Sequence, residues 1–131
     1  AVAYLQKKLD LREKAEFRDG RKVIRFKELS PEEKNAVIAE DPRYGRIVCR
    51  CEEVSRGEIL DALRSPICVP TVDGIKKRLR PGMGRCQGGF CSPLVTRIIA
   101  EFLGVPLSEV KKSSAESAIV FERGKGGLVH A

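Results

Sequence analysis

Two tight cysteine pairs, Cys49-Arg-Cys51 and Cys86-Gln-Gly-Gly-Phe-Cys91, constrain this chain more than any other feature. The second pair lies within Gly82-Met-Gly-Arg-Cys-Gln-Gly-Gly-Phe-Cys91, where four glycines interleave with the thiols. Four soft thiolates from two short loops suit either an iron–sulfur cluster or a structural zinc ion. Cys-x-Cys in an extended segment puts both thiols on one side of the backbone, where they can share one iron. Cys-x4-Cys spans a loop wide enough to wrap a second iron and its sulfides. Gly82, Gly84, Gly88 and Gly89 let successive N–H groups turn toward sulfur as an anion-binding nest.

Zinc knuckles usually space their ligands by two to four residues, so Cys-x-Cys is tight for zinc without excluding it. A Rieske centre needs two histidines, and His130, set among the glycines of the C-terminal end, is the sole histidine. The fifth cysteine, Cys68, sits in Ser-Pro-Ile-Cys-Val-Pro-Thr, a turn between helices, and reads as a small buried apolar residue outside the site. Five thiols at these spacings do not make a secreted disulfide framework. They point to a reducing compartment, the cytoplasm.

The net charge of +7 is concentrated. Between Gly74 and Ala100 there is no Asp or Glu, while Lys76, Lys77, Arg78, Arg80, Arg85 and Arg97 all occur. Such a run reads as compensation for an anionic cluster, as a nucleic-acid-binding patch, or as an ordinary solvated or partner-facing surface. At 131 residues the chain has length for one domain with flanking pieces. No run approaches the roughly 18–20 apolar residues of a membrane helix, and no signal-peptide pattern opens the chain.

Residues 1–9 read as the end of a helix, with Val2, Leu5 and Leu9 on one face, and suggest a piece of a longer protein. Charged residues 10–22 follow as a linker, then Val23–Phe26 as an extended segment. Ser30-Pro-Glu-Glu33 caps a helix from Pro31 to about Ala39. Asp41–Gly45 breaks it and leads through Ile47 and Val48 to the first cysteine pair. Ser55-Arg-Gly-Glu58 opens a helix to about Arg64, and Thr71 caps one holding Val72, Ile75 and Leu79, ended by Pro81-Gly82. Ser92 is expected to cap the most apolar helix, started by Pro93 and stopped at Gly104, with one more turn near Ser108–Lys112.

Ile47-Val-Cys-Arg-Cys-Glu-Glu-Val-Ser-Arg-Gly-Glu-Ile59, Asp73-Gly-Ile-Lys-Lys-Arg78 and Gly82–Cys91 together closely resemble the bacterioferritin-associated-ferredoxin-like (BFD-like) [2Fe-2S] domain. The variant is the one at the C-terminus of FAD-dependent glycerol-3-phosphate dehydrogenases of the anaerobic type and related flavin oxidoreductases. The resemblance covers about residues 41–105. It implies Cys49, Cys51, Cys86 and Cys91 as ligands of a two-iron cluster, with FAD elsewhere in the parent protein. Partners would be an upstream FAD-binding domain of the same chain and a redox partner subunit.

The expected fold is a small all-α domain of short helices, helix-turn-helix-like, with the cluster held between two cysteine loops. Residues 1–40 would be the end of the flavin domain plus linker, 41–112 the cluster domain, and 113–131 a flexible tail. The expected function is one-electron relay from the flavin to a partner or acceptor. No catalytic carboxylate pair, Ser/His arrangement or Walker loop appears, and Glu52, Glu53 and Glu58 read as capping and surface charges. Two alternatives stand beside the relay: a structural or regulatory metal module, with zinc or a non-transferring cluster, and a nucleic-acid-binding module.

Overall fold

The computed structural model describes residues 2–9, 16 and 23–120. Five α-helices are present among them: α1 (Val2–Leu9), α2 (Pro31–Glu40), α3 (Arg56–Arg64), α4 (Val72–Leu79) and α5 (Ser92–Leu103). Short 3-10 turns occupy Phe26–Glu28, Pro42–Gly45 and Leu107–Glu109. The first of these starts at Phe26, the last residue of the expected extended segment, whose Arg25 is extended, and the last supplies the expected turn after α5.

The local chemistry that starts the helices is the chemistry of their sequences. At α2 the Ser30 hydroxyl accepts from Glu33 N–H at 3.2 Å, and the Glu33 carboxylate accepts from Ser30 N–H at 2.8 Å. The same reciprocal box opens α3, with Glu58 N–H donating to Ser55 Oγ at 3.2 Å and Ser55 N–H donating to Glu58 at 2.8 Å. Thr71 Oγ1 caps α4 by accepting from Gly74 N–H at 3.0 Å. A side chain at Gly74 would meet the Val69 carbonyl at 2.0 Å, so the turn before α4 closes only over glycine.

Two expectations are corrected. The domain is not wholly helical, because Ile47–Cys49 (β1) and Val54–Ser55 (β2) pair antiparallel, Ile47 opposite Ser55 and Cys49 opposite Val54. Apolar Ile47 and Val48 on one side of a four-residue turn, and Val54 on the other, make this hairpin. At α5 the cap falls one residue early. Cys91 is the N-cap and makes no side-chain cap bond, while Ser92 is already helical.

α3, α4 and α5 pack on one another around a core in which Ile59, Ile75, Val95, Ile99 and Val110 are fully buried. Cys49 and Cys91 belong to this core, so the cysteine loops are anchored by their inner thiols. Residues 23–46 clasp the N-terminal end of α3. Phe26 is buried, and its N–H donates to Glu58 at 3.2 Å. The Tyr44 ring lies flat on Gly57, where a methyl group would sit 2.4 Å from the ring.

On the other side, Val110 is buried and the carbonyls of Lys111 and Lys112 accept the first N–H groups of α4, from Val72 and Asp73. Residues 113–118 turn back through Ser117, whose hydroxyl accepts from Ser113 and Ser114 N–H, so that Lys111 and Ala118 form a bridge. The rest of the expected tail, residues 121–131 with His130, lies outside the described residues, as does most of the expected linker at 10–22.

Candidate metal centre

The β1–β2 hairpin and the loop from Pro81 to Cys91 lie against each other and present all four cysteines of the two pairs. β1 ends at Cys49 and the chain turns at Arg50. Cys49 therefore points into the core at 1% exposure, and Cys51, in the turn, faces solvent. The expectation that both thiols project from one extended strand is corrected by this turn.

Thiol contacts run between the loops instead. Cys51 Sγ lies 3.7 Å from Cys86 Sγ near the surface, and Cys91, buried at the start of α5, adjoins Cys49 in the core. Each loop thus contributes one outer and one inner thiol. Among the described residues no three His, Cys, Asp or Glu side chains close around a single point tightly enough to cage one ion.

Glycine makes the contact between loops possible. A methyl group at Gly84 would stand 2.1 Å from Cys51 Cβ and 3.2 Å from its sulfur. The loop itself is a chain of tight turns, with Met83 N–H donating to the Arg80 carbonyl, Gln87 N–H to Gly84 and Gly89 N–H to Cys86. Gly82 and Gly88 take φ values of +86° and +87°, in the left-handed region where a side chain is strained.

These turns aim backbone donors at sulfur. The N–H groups of Phe90 and Gly88 hold the Cys86 thiol below its ordinary pKa, with help from Cys51 and from Gly89 N–H. Burial pushes the Cys91 thiol up to about 11, reinforced by neighbouring Cys49 and Cys86 and opposed by Gly82 N–H. The backbone influence expected from the glycines thus outweighs burial at Cys86, and burial outweighs it at Cys91. Backbone N–H groups around soft sulfur donors favour the thiolate form that iron and zinc both require. On this chemistry the residues fit a bound metal group.

Cys68 stays apart, in the loop between α3 and α4, with its thiol 3.6 Å from the Val69 carbonyl and its pKa raised by burial. The basic run divides. Arg78 is half-buried and donates to the Ile67 carbonyl. Arg80 pairs at 3.0 Å with Glu52, the residue after Cys51. The stem of Lys76 rests on Gly82, and Arg85, next to Cys86, is exposed.

Two structural residues escaped sequence reasoning. Glu58 is a cap as expected, but it is buried and accepts three hydrogen bonds, from Phe26 N–H, Ser55 N–H and the Ser55 hydroxyl. Tyr44 donates to Asp61 at 2.6 Å across the clasp. A glycine inside the Ser55–Glu58 box was the only local sign that a ring would pack there.

Residues 47–101 match the family model of the BFD-like [2Fe-2S] binding domain. The chain is 46% identical over 111 residues to a glycerol 3-phosphate dehydrogenase of Caloramator mitchellensis, a match covering 84% of this chain and 23% of the relative. It is 41% identical over 69 residues to the hydrogen cyanide synthase protein HcnB of Pseudomonas aeruginosa, covering 50% of this chain and 14% of that protein. It is 30% identical over 83 residues to one of the subunits of the anaerobic glycerol-3-phosphate dehydrogenase of Escherichia coli K12, covering 63% of this chain and 14% of the relative. The matched region is thus less than a quarter of each of these relatives. No solved structure matches the chain significantly. The stretch from β1 into α5, with both cysteine pairs inside it, belongs to the BFD-like [2Fe-2S] binding-domain family.

Proposed function

We propose that Cys49, Cys51, Cys86 and Cys91 hold a [2Fe-2S] cluster, and that the domain relays electrons from the flavin of a parent FAD-dependent dehydrogenase to a partner subunit or acceptor. A bound cluster of this kind takes up and releases one electron at a time, which matches a two-electron flavin to a one-electron carrier. The observation that carries the reading is the pairing of thiols across the loops, one pair at the surface and one in the core. Two separate thiol pairs suit a group with two metal atoms better than the single tetrahedral point of a zinc staple.

The chain's own residues supply the holding and the tuning. The hairpin and the Gly-rich loop bring the thiols together. The N–H groups of Gly82, Gly88, Gly89 and Phe90 stabilise negative charge on sulfur, and nearby cations such as Arg85 act in the same direction. We assign the cluster domain to residues 41–112, with 23–40 clasped onto it and an upstream FAD-binding domain in the parent chain. Substrate oxidation belongs to that flavin domain, with a glycerol 3-phosphate-like substrate as the first to test. A reducing cytoplasm suits unpaired thiols, and no described helix is long and apolar enough to cross a membrane.

Anaerobic iron and sulfide analysis, with EPR of the dithionite-reduced protein, tests the reading. About two irons and two sulfides per chain with a reversible one-electron signal are expected. Stoichiometric zinc without sulfide or signal overturns it in favour of a structural metal module.

A further inference from the structure

Phe90 is 82% exposed, the most exposed large apolar side chain among the described residues. It sits between Cys86 and Cys91, in the loop that faces Cys51. Leaving such a ring in water forgoes about 1.5–3 kcal/mol of burial. Leu94, one turn further on, is 43% exposed.

Cations flank the outer thiols of the two loops. Arg50 is exposed between Cys49 and Cys51, and Arg85 is exposed beside Cys86. The stem of Lys76 comes against the same loop at Gly82. No acidic residue occurs between Gly74 and Ala100, and of the two glutamates after Cys51, Glu52 is tied to Arg80. Among the described residues neither Arg50 nor Arg85 has an ion-pair partner. An exposed aromatic side chain and unpaired arginines in the loops that carry the accessible thiols have the composition of a protein-binding hot spot.

We propose that the face formed by Cys51, Cys86 and Phe90, with Arg50 and Arg85 beside the thiols and Lys76 against the loop, is a docking surface for a redox protein whose own surface is rich in carboxylates around a shallow apolar recess. The proposal rests on the relay reading above. Opposite charge steers such a partner toward the outer thiols, and Phe90 fixes the docked position. A nucleic acid fits less well. Two cations of the basic run, Arg78 and Arg80, are already engaged by Ile67 and Glu52, which leaves fewer free charges to follow a phosphate backbone.

The test titrates the purified, cluster-loaded protein with an acidic flavodoxin as the protein probe, with basic cytochrome c and a DNA duplex as comparisons. Flavodoxin binding that weakens with salt is expected, stronger than binding to either comparison. Phe90→Ala should weaken it about tenfold, as should the pair Arg50→Gln and Arg85→Gln at low ionic strength, while Lys111→Gln leaves it within about twofold. Circular dichroism and iron content of each variant show that the fold and the site persist. No flavodoxin binding, equal binding of cytochrome c, tighter binding of DNA, or indifference to Phe90→Ala each overturns the docking face. The two readings separate: a loaded protein that ignores flavodoxin loses the docking surface and keeps the relay. A zinc-filled protein that binds flavodoxin through Phe90 keeps the surface and loses the relay.

Discussion

Gly84 shows how much a single hydrogen in place of a methyl group decides. Its α-carbon faces Cys51 so closely that an added Cβ would overlap the Cys51 side chain at 2.1 Å. Gly84→Ala must push the loop off the hairpin and separate Cys51 from Cys86. Iron and sulfide content of Gly84→Ala should therefore fall well below that of the parent, with helical circular dichroism unchanged because the core lies elsewhere. Gly89→Ala is the milder comparison, since its Cβ would meet only the Cys86 carbonyl at 3.2 Å. Accessibility gives a second prediction: in the metal-free protein iodoacetamide should label Cys51 and Cys86 before Cys49 and Cys91, which are 1% and 2% exposed. Mass spectrometry of short-time digests reads the order. Cys68→Ser should leave metal content unchanged, because that thiol lies in the α3–α4 loop, against the core and the Val69 carbonyl and apart from the other four. The two cysteine pairs and the glycine-rich loop that carries the second were legible in the sequence. Their cross-loop pairing was not, because it depends on a turn at Arg50 and on a contact between residues far apart in the chain.

Elements defined by local chemistry were legible almost to the residue. Both capping boxes formed as their Ser-x-x-Glu patterns require, and α3 and α4 end where the sequence suggests. The hairpin was missed because β1 and β2 are three and two residues long, too short to show alternation. At α5, Ser92 and Pro93 look like cap and first turn. The chain instead begins the helix one residue earlier, with Cys91 drawn into the core and Ser92 N–H bonded to the Gly88 carbonyl. Ser55 tests the element scale. It is fully buried, caps Glu58 N–H, and donates its hydroxyl to the Glu58 carboxylate at 2.8 Å. Ser55→Ala loses the cap and one donor to a buried carboxylate, a cost of about 1–2 kcal/mol. In thermal unfolding this should appear as a fall of roughly 4–16 °C for a domain of this size. Ser30→Ala, at an exposed cap of the same design, should cost about 1 kcal/mol or less.

At the scale of the whole molecule, the segment before the cysteines is part of what holds them. The Phe26 and Tyr44 rings meet at a tilt, 6.4 Å between centres, and both close on the start of α3, which follows directly from the hairpin bearing Cys49 and Cys51. This packing joins residues that are distant in sequence, so composition and periodicity gave no sign of it. Tyr44 makes the clasp sensitive to alkali. Burial, with the hydrogen bond to Asp61 and the nearby negative charges, raises its pKa far above that of a free phenol. The folded protein therefore keeps the phenol proton at a pH where the unfolded chain, ionising near 10, has lost it. A group whose folded pKa is raised contributes stability in full below the unfolded pKa and loses it as pH climbs toward the folded one. Above about pH 10, stability should fall by up to about 1.4 kcal/mol per pH unit from this group alone. Tyr44→Phe keeps the ring on Gly57 and removes the titration. At neutral pH it should cost about 1 kcal/mol for the lost hydrogen bond, while between about pH 9.5 and 11 the gap between variant and parent should narrow. Urea unfolding of both proteins at a series of pH values measures that gap. A constant difference across the range would mean that Tyr44 ionises as readily in the clasp as in the open chain.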